Sequence, residues 1–361
     1  MASRLSTWGN ALYTGEKIYP IVQRRKRWLT ISTVLVVISL ALLYFNGLNP
    51  GIEFRGGTEY VVANVGDVTT VIATDVITEK LPDEDPNVSV VGGDSIRVHV
   101  GQIAQDKVQG IADALAEAYN VPVEQVSSTF IGPTWGADVS AKAIQGLLTF
   151  ILIVAIVIGL YFRAWRMAAA AVLALLHDLV FTAGIYALVG FEVTPATVIG
   201  FLTILGFSLY DTVVVFDKVR ENTAHVTTQS RYTYEELANL ALNQTLVRSI
   251  NTSVVALLPV ASILFIGSVV LGAGTLKDIS LALFVGMAVG TYSSIFVATP
   301  MEVAFRSREQ GIKEHTAKVL ALRESGAIPT TVDEHGIVRV GALAPGGHKG
   351  TSAQPKRKGR K

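Results

Sequence analysis

The chain has 361 residues, of which 50% are hydrophobic and 16% charged, with a mean hydropathy of +0.45. That is too apolar for a disordered chain and too poor in charge for a purely soluble one, which carries about a quarter charged residues. A formal net charge of +1 speaks against a strongly basic nucleic-acid binder, and the absence of cysteine excludes disulfides, thiolate metal sites and a cysteine nucleophile.

The apolar residues gather in six segments of about 20 residues or more, the length an α-helix needs to cross the hydrocarbon of a bilayer. They predict an α-helical polytopic membrane protein with spans over 29–48, 143–162, 167–190, 194–217, 246–271 and 278–301. Residues 1–28 form an N-terminal segment that ends in the basic cluster Arg24 to Arg27. The first span is longer than a signal-peptide core and no small-x-small cleavage site follows, so it reads as a retained anchor. Arg24 to Arg27, Arg163 and Arg166, Lys218, Arg220 and Arg231, and Arg306 and Arg308 all fall on one side of this layout. Opposite them, Lys277 is the basic residue of the short loops, which predicts a multi-pass protein with both termini cytoplasmic.

Residues 49–142 then form the one long external loop. Its pattern reads β-α-β-β-α-β: a valine-rich run Thr58 to Val65, a helix Val68 to Leu81, strands Val88 to Val91 and Ser95 to Val100 about the turn Gly92-Gly93-Asp94, a helix Gln102 to Tyr119, and a strand Val123 to Ile131. That order predicts an α+β ferredoxin-like domain. Its acids outnumber its bases, which reads as a solvated surface; an acidic face for a cationic client is the competing reading.

Charges near the middle of a span are costly unless paired or hydrated, and mark functional candidates. His177-Asp178 lies about ten residues, or roughly 15 Å, into span three. Asp211 falls in the inner half of span four, and span five opens with Asn243 to Ser253, including Arg248, Asn251 and Thr252. These groups have the mixture a proton relay needs, with Asp211 carrying the proton and Arg248 modulating it. A static interhelical ion pair, or Arg248 snorkelling to the interface, is the structural alternative. His177, Asp178, Asn251 and Thr252 join the relay or hydrogen-bond between helices. Between spans four and five, residues 218–245 form a cytoplasmic loop in which Thr233 to Glu236 has capping-box form, suggesting an amphipathic surface helix. Pro259 loosens span five or is a tolerated kink, and Gly286 and Gly290 in span six form a small-xxx-small packing face.

No phosphate-binding loop and no H-E-x-x-H motif is present, and Asp211 lacks a glycine-flanked carboxylate partner for aspartyl-protease chemistry. The expectation is a protein that is not an enzyme and carries no cofactor or metal. Residues 302–361 read as a cytoplasmic, largely disordered basic tail with an unpartnered His348, either attracted to anionic lipid or merely solubilising.

Gly51 to Thr58, Ile131 to Gly136, His177-Asp178, Tyr210 to Asn222 and Asn243 to Ser253 together resemble, in order, the motifs of the SecF family of protein-export membrane subunits. The six-span layout extends the likeness to about Arg308. The resemblance implies the resistance-nodulation-division superfamily and a partner, SecD, that supplies the other six spans. It also implies work alongside the SecYEG channel and SecA in the bacterial plasma membrane, with proton-motive force promoting export of unfolded preproteins. The family's span-four aspartate falls on Asp211 and its span-five arginine on Arg248, while Glu53 stands where the family usually has aspartate. A small-molecule or lipid exporter of the same superfamily, or a structural scaffold, is the competing reading.

Overall fold

A computed structural model describes residues 4–84, 86–91, 93–270, 274–328, 332, 338 and 340. The basic tail 341–361 with His348, Asp85, Gly92 of the expected turn and Leu271 of span five lie outside the described residues.

In chain order, α1 (Arg4–Tyr13) packs on the fifth span and α2 (Arg25–Phe45) is the first span. An α+β unit follows as β1 (Asn49–Pro50), α3 (Ile52–Arg55), β2 (Gly57–Val62), α4 (Thr70–Lys80), β3 (Asn87–Val91), β4 (Ser95–Val100), α5 (Gln105–Ala118) and β5 (Val126–Ile131). Its antiparallel sheet has the order β3-β4-β2-β5, the order of a split β-α-β sandwich. The period-two alternation places Tyr60, Val62, Ile96, Val98 and Val100 on one face, where they bury against Ala73 and Ile77 of α4 and Ile111 and Leu115 of α5. The other face of β2 and β4 carries Glu59, Arg97 and His99.

Two glycine-bearing motifs join this unit to the membrane. Gly56 and Gly57 both have positive φ (76° and 140°), and a Cβ on Gly57 would stand 2.6 Å from the Val100 carbonyl oxygen. Gly136, in the first turn of α6 (Pro133–Phe162), lets that helix approach the α3 backbone, where a Cβ would stand 2.8 Å from Phe54 O.

The remaining spans are α7 (Trp165–Val189), α8 (Pro195–Thr223) after the short strand β6 (Glu192–Val193), α9 (Tyr234–Ser262) and α10 (Gly274–Ser293). Six helices among the described residues are long and apolar enough to cross a membrane. α7, α8 and α10 form the buried centre, while α2, α6 and α9 expose broad apolar faces. The helix opened by the Thr233–Glu236 capping box is not a separate surface helix: it runs unbroken into span five as α9 and buries Leu237, Ala238 and Leu240 to Asn243. It passes through Pro259 and widens into π-helical turns over Ile263–Val270. A second π-helical stretch, Ser294–Ala298, links α10 to α11 (Thr299–Arg306). Pro300 has no N–H to give the turn before it, which favours a break in the regular ladder there.

The tail departs from expectation before residue 325. α12 (Gln310–Glu324) buries Ile312, His315 and Val319, and Arg323 grips Glu236 with two hydrogen bonds of 2.6 and 2.7 Å. An amphipathic stripe at helical spacing, with a bidentate anchor, outweighs the polar composition. Ion pairs between Arg25 and Glu235, Arg166 and Glu309, and Arg306 and Glu309 gather basic groups of separate loops at one end of the bundle.

At the opposite end, β1 pairs in parallel with β6, and His99 bridges the two units: Nε2 lies 2.6 Å from Glu59 Oε2 and Nδ1 3.0 Å from Glu192 Oε1. Arg97 adds longer contacts to Glu59 (3.4 Å) and Glu192 (3.9 Å). Burial alone would push the imidazole pKa down, but the bonds and charges of Glu192 and Glu59 outweigh it and lift His99 to about 9. Glu53 sits beside Glu192 and its carboxyl is pushed up, chiefly by burial and then by the charges of Glu192 and Glu59.

Two outcomes follow for this architecture. A Cβ at Gly286 would lie 2.1 Å from Ile204 Cδ1, whereas one at Gly290 would lie 3.0 Å from Ser208 Cβ. Gly286→Ala therefore destabilises the α8–α10 seam more than Gly290→Ala, by about 1–3 kcal/mol. Thermal unfolding in detergent checks this, and equal midpoints would contradict it. Because His99 titrates higher folded than unfolded, its contribution to docking is complete below about pH 6.5 and is lost as pH rises through about 9. The protection of amides at the β1–β6 pair, measured as exchange relative to the intrinsic rate at each pH, should fall over that interval in the wild type and stay flat in His99→Gln; the same fall in both would refute the bridge.

Candidate intramembrane proton site

The site is built where α7, α8, α9 and the π-helical turn after α10 meet. Asp211 on α8 is 3% exposed. Ser249 Oγ of α9 donates to its Oδ1 at 2.8 Å, and Ser294 Oγ donates to Oδ2 at 2.5 Å. Both oxygens are thus held by neutral hydroxyls. One helical turn away, Asp178 of α7 is 1% exposed; Ser208 Oγ of α8 donates to its Oδ2 at 2.5 Å and His177 Nδ1 lies 3.0 Å from Oδ1. Ser208 and Asp211 are three residues apart, about 4.5 Å along the helix, so α8 presents one stripe to both carboxylates.

The sixth span supplies the complementary stripe. Gly286, Gly290 and Ser294 recur every four residues, and the first two pack on Ile204 and Ser208 of α8. The small residues bring the helices close enough for Ser294 to reach Asp211, and the π-helical turn that begins at Ser294 aims its hydroxyl. Thr299 Oγ1 contacts Ser294 O at 3.5 Å, five residues back along this widened turn. π-bulges of this kind recur at functional positions. Thr291 Oγ1 donates to Ser253 Oγ at 2.7 Å, and Tyr292 Oη lies 2.9 Å from Ser32 Oγ, extending the polar seam to α9 and α2.

Arg248 and Ser249 are neighbours in sequence but point about 100° apart, as consecutive helical residues must. Ser249 is buried on Asp211, whereas Arg248 is exposed, its Nη2 lying 3.5 Å from the hydroxyl of Tyr210, a residue 55% exposed. Asp211 and Arg248 make no ion pair. Asn251 is exposed and Thr252 half-buried, and neither side chain hydrogen-bonds to a described residue. His177 Nε2 is buried with no partner among the described residues, leaving a free nitrogen beside the Asp178 pair. No group of three or more metal-ligating side chains is gathered among the described residues.

Nothing in the sequence marks Ser208, Ser249 or Ser294 as partners of the two carboxylates. The four-residue recurrence of Gly286, Gly290 and Ser294 signals only helix packing. Nor does the sequence mark Glu302, fully buried with Tyr234 Oη donating at 2.6 Å, or the clamp in which Asn243 Oδ1 accepts from Tyr19 N at 2.7 Å and Asn239 Oδ1 from Val22 N at 3.0 Å.

Comparison with known proteins gives this geometry its context. The family described as "Protein export membrane protein SecD/SecF, C-terminal" matches residues 111–308, and "SecD/SecF GG Motif" matches residues 41–63, the stretch that contains Gly56 and Gly57. The protein translocase subunit SecF of Streptomyces coelicolor is 47% identical over 325 residues, covering 90% of this chain and 87% of that one. The SecF subunit of Mycobacterium tuberculosis is 42% identical over 326 residues, covering 88% and 73%. The crystal structure of SecDF from Thermus thermophilus, a translocon-associated membrane protein, superposes with a TM-score of 0.72 at 28% identity. It covers 81% of this chain, which in turn spans 39% of that longer SecDF chain. With family motifs across more than half its length and nearly full-length SecF relatives, the chain belongs to the SecD/SecF family of protein-export membrane proteins, as a SecF-type subunit within the resistance-nodulation-division superfamily.

Proposed function

We propose that the chain is an accessory subunit of the Sec protein translocase that pairs with SecD in the bacterial plasma membrane and uses proton movement through the Asp211 site to promote export of unfolded preproteins. In this reading both termini are cytoplasmic and the ferredoxin-like unit faces outward, working beside SecYEG and SecA. Similarity to translocase subunits named SecF and to SecDF supports the assignment.

The observation that carries the proton step is Asp211 itself, a carboxylate buried between helices whose partners are two hydroxyls and no cation. An ionised carboxylate in hydrocarbon without a paired cation costs several kcal/mol, and a bound proton removes that cost. When Asp211 gives up its proton, a cation must approach or water must enter. Arg248, the sequence neighbour of Ser249 and bonded to the exposed Tyr210 rather than to Asp211, is the proposed partner in that second state. Ser249 and Ser294 hold the carboxylate in position and come from different helices, so a change in its charge bears on the α8–α9 and α8–α10 seams together. The Asp178–His177–Ser208 group, one turn away on the same stripe, is the proposed second station.

The test is proton-motive-force-dependent completion of preprotein export in vesicles holding the SecD complex. Asp211→Asn, at matched assembly, is expected to reduce export to the level seen without the force, because the amide cannot carry the proton. Unchanged export would make the carboxylate structural and the subunit a scaffold. Ser249→Ala and Ser294→Ala each remove one hydrogen bond to the carboxylate, worth about 1.5–3 kcal/mol when it is charged. Each is expected to slow the force-dependent step severalfold while leaving force-independent export intact, read as initial rates at several proton gradients.

A further inference from the structure

Away from the Asp211 site, an apolar cavity lies at the basic end of the bundle, between the N-terminal segment and spans one, five and six. It encloses about 540 Å³, within the range of small-ligand sites. Trp28 of α2 packs tilted against Phe296 at 4.3 Å between ring centroids, and Tyr292 stacks on Phe296 at 5.5 Å. Leu246 and Ile250 of α9 close the far side. The wall formed by residues 19–22 is fixed in place: Asn239 and Asn243 clamp the backbone of Tyr19 and Val22, and Trp8 Nε1 donates to Tyr19 Oη at 3.2 Å.

The mouth of this apolar chamber is cationic. Arg24 lines it, and its exposed guanidinium makes no ion pair among the described residues, whereas the adjoining Arg25 is taken by Glu235. Lys17 stands over the ring of Tyr19, another lining residue, at 5.4 Å from its centroid. A helix, about 10–12 Å across with its side chains, is too wide for a chamber of this volume, but hydrocarbon chains below an anionic head match both its lining and its charge.

We propose that this cavity seats one anionic phospholipid, with one acyl chain between Trp28, Tyr292, Phe296 and α9, its second chain in the surrounding bilayer and its phosphate on Arg24. Bound there, the lipid would tie the N-terminal segment to spans five and six next to the helix that bears Arg248 and Ser249.

The test uses the full chain purified with SecD and native mass spectrometry to count retained lipid after exchange into detergent with dioleoylphosphatidylglycerol or dioleoylphosphatidylcholine. Wild type should retain one phosphatidylglycerol in preference to phosphatidylcholine. Arg24→Gln, an exposed change that leaves the core intact, should cut that preference about fivefold, the value of one basic residue near an anionic surface. Ala288→Trp, which fills the cavity, should lose both lipids. If the Trp variant fails to fold, Arg24→Gln alone decides. Equal retention of the two lipids by wild type, or a preference that Arg24→Gln leaves unchanged, overturns the proposal. A partner helix from SecD that fills the cavity would show as no retained lipid in the wild type and would overturn it equally.

Discussion

A carboxylate buried among membrane helices must find its hydrogen bonds inside the protein, because hydrocarbon offers none. Much of the membrane unit follows from that constraint at Asp211. Two oxygens need two donors, and α9 and the sixth span each supply one, Ser249 and Ser294. A serine side chain is short, so the helices that bear them must lie close. Gly286 and Gly290 remove the atoms that would hold α10 off α8, and Gly200 does the same in the other direction, where a Cβ would stand 2.7 Å from Ala282 Cβ. The π-helical turn at Ser294 then sets the direction of the hydroxyl. Packing that elsewhere would serve only stability here holds a buried carboxyl group between three helices, and in the function proposed above the spacing of those helices responds to its proton.

The α+β unit is tied to the same helices by contacts that transmit position. The chain leaves span one through β1, which pairs with β6, and β6 leads directly into α8. The His99 bridge to Glu192 clasps the sheet to that same short strand, while Gly136 seats α6 on the backbone of α3. α8 therefore has a short covalent and hydrogen-bonded connection to the four-stranded sheet. At the basic end, Asn239, Asn243, Glu235 and Glu236 bind the N-terminal segment and α12 to the base of α9, so that the helix carrying Ser249 and Arg248 is held at its first turns.

How much of this was legible in the sequence depends on how local its cause is. Spans show because 20 apolar residues are a local pattern, and the β2 and β4 faces show because Tyr60, Val62, Ile96 and Val98 alternate. Asp211, Asp178 and His177 stand out because charge at that depth is costly wherever it occurs. Hydroxyls carry no such signal: Ser249 and Ser294 are cheap in any helix, and only their pairing in space makes them partners of Asp211. The orientation of Arg248 was equally hidden, since one position along a helix is a rotation of about 100° and sequence proximity to Ser249 says nothing of a shared face. The Asn239–Asn243 clamp binds backbone more than 200 residues away, which leaves no pattern near either end. A capping box announces where a helix starts but not how far it runs, and α9 proved continuous with span five.

The most direct measurement of the proton step is the infrared carboxyl band of Asp211 in membranes holding the SecD complex, recorded with and without an imposed proton gradient. A protonated-carboxyl band that changes with the gradient, vanishes in Asp211→Asn and persists in Arg248→Lys with a shifted response is the expected result. A band unaffected by the gradient, or a gradient-dependent signal that survives Asp211→Asn, would contradict a proton-carrying role for this residue.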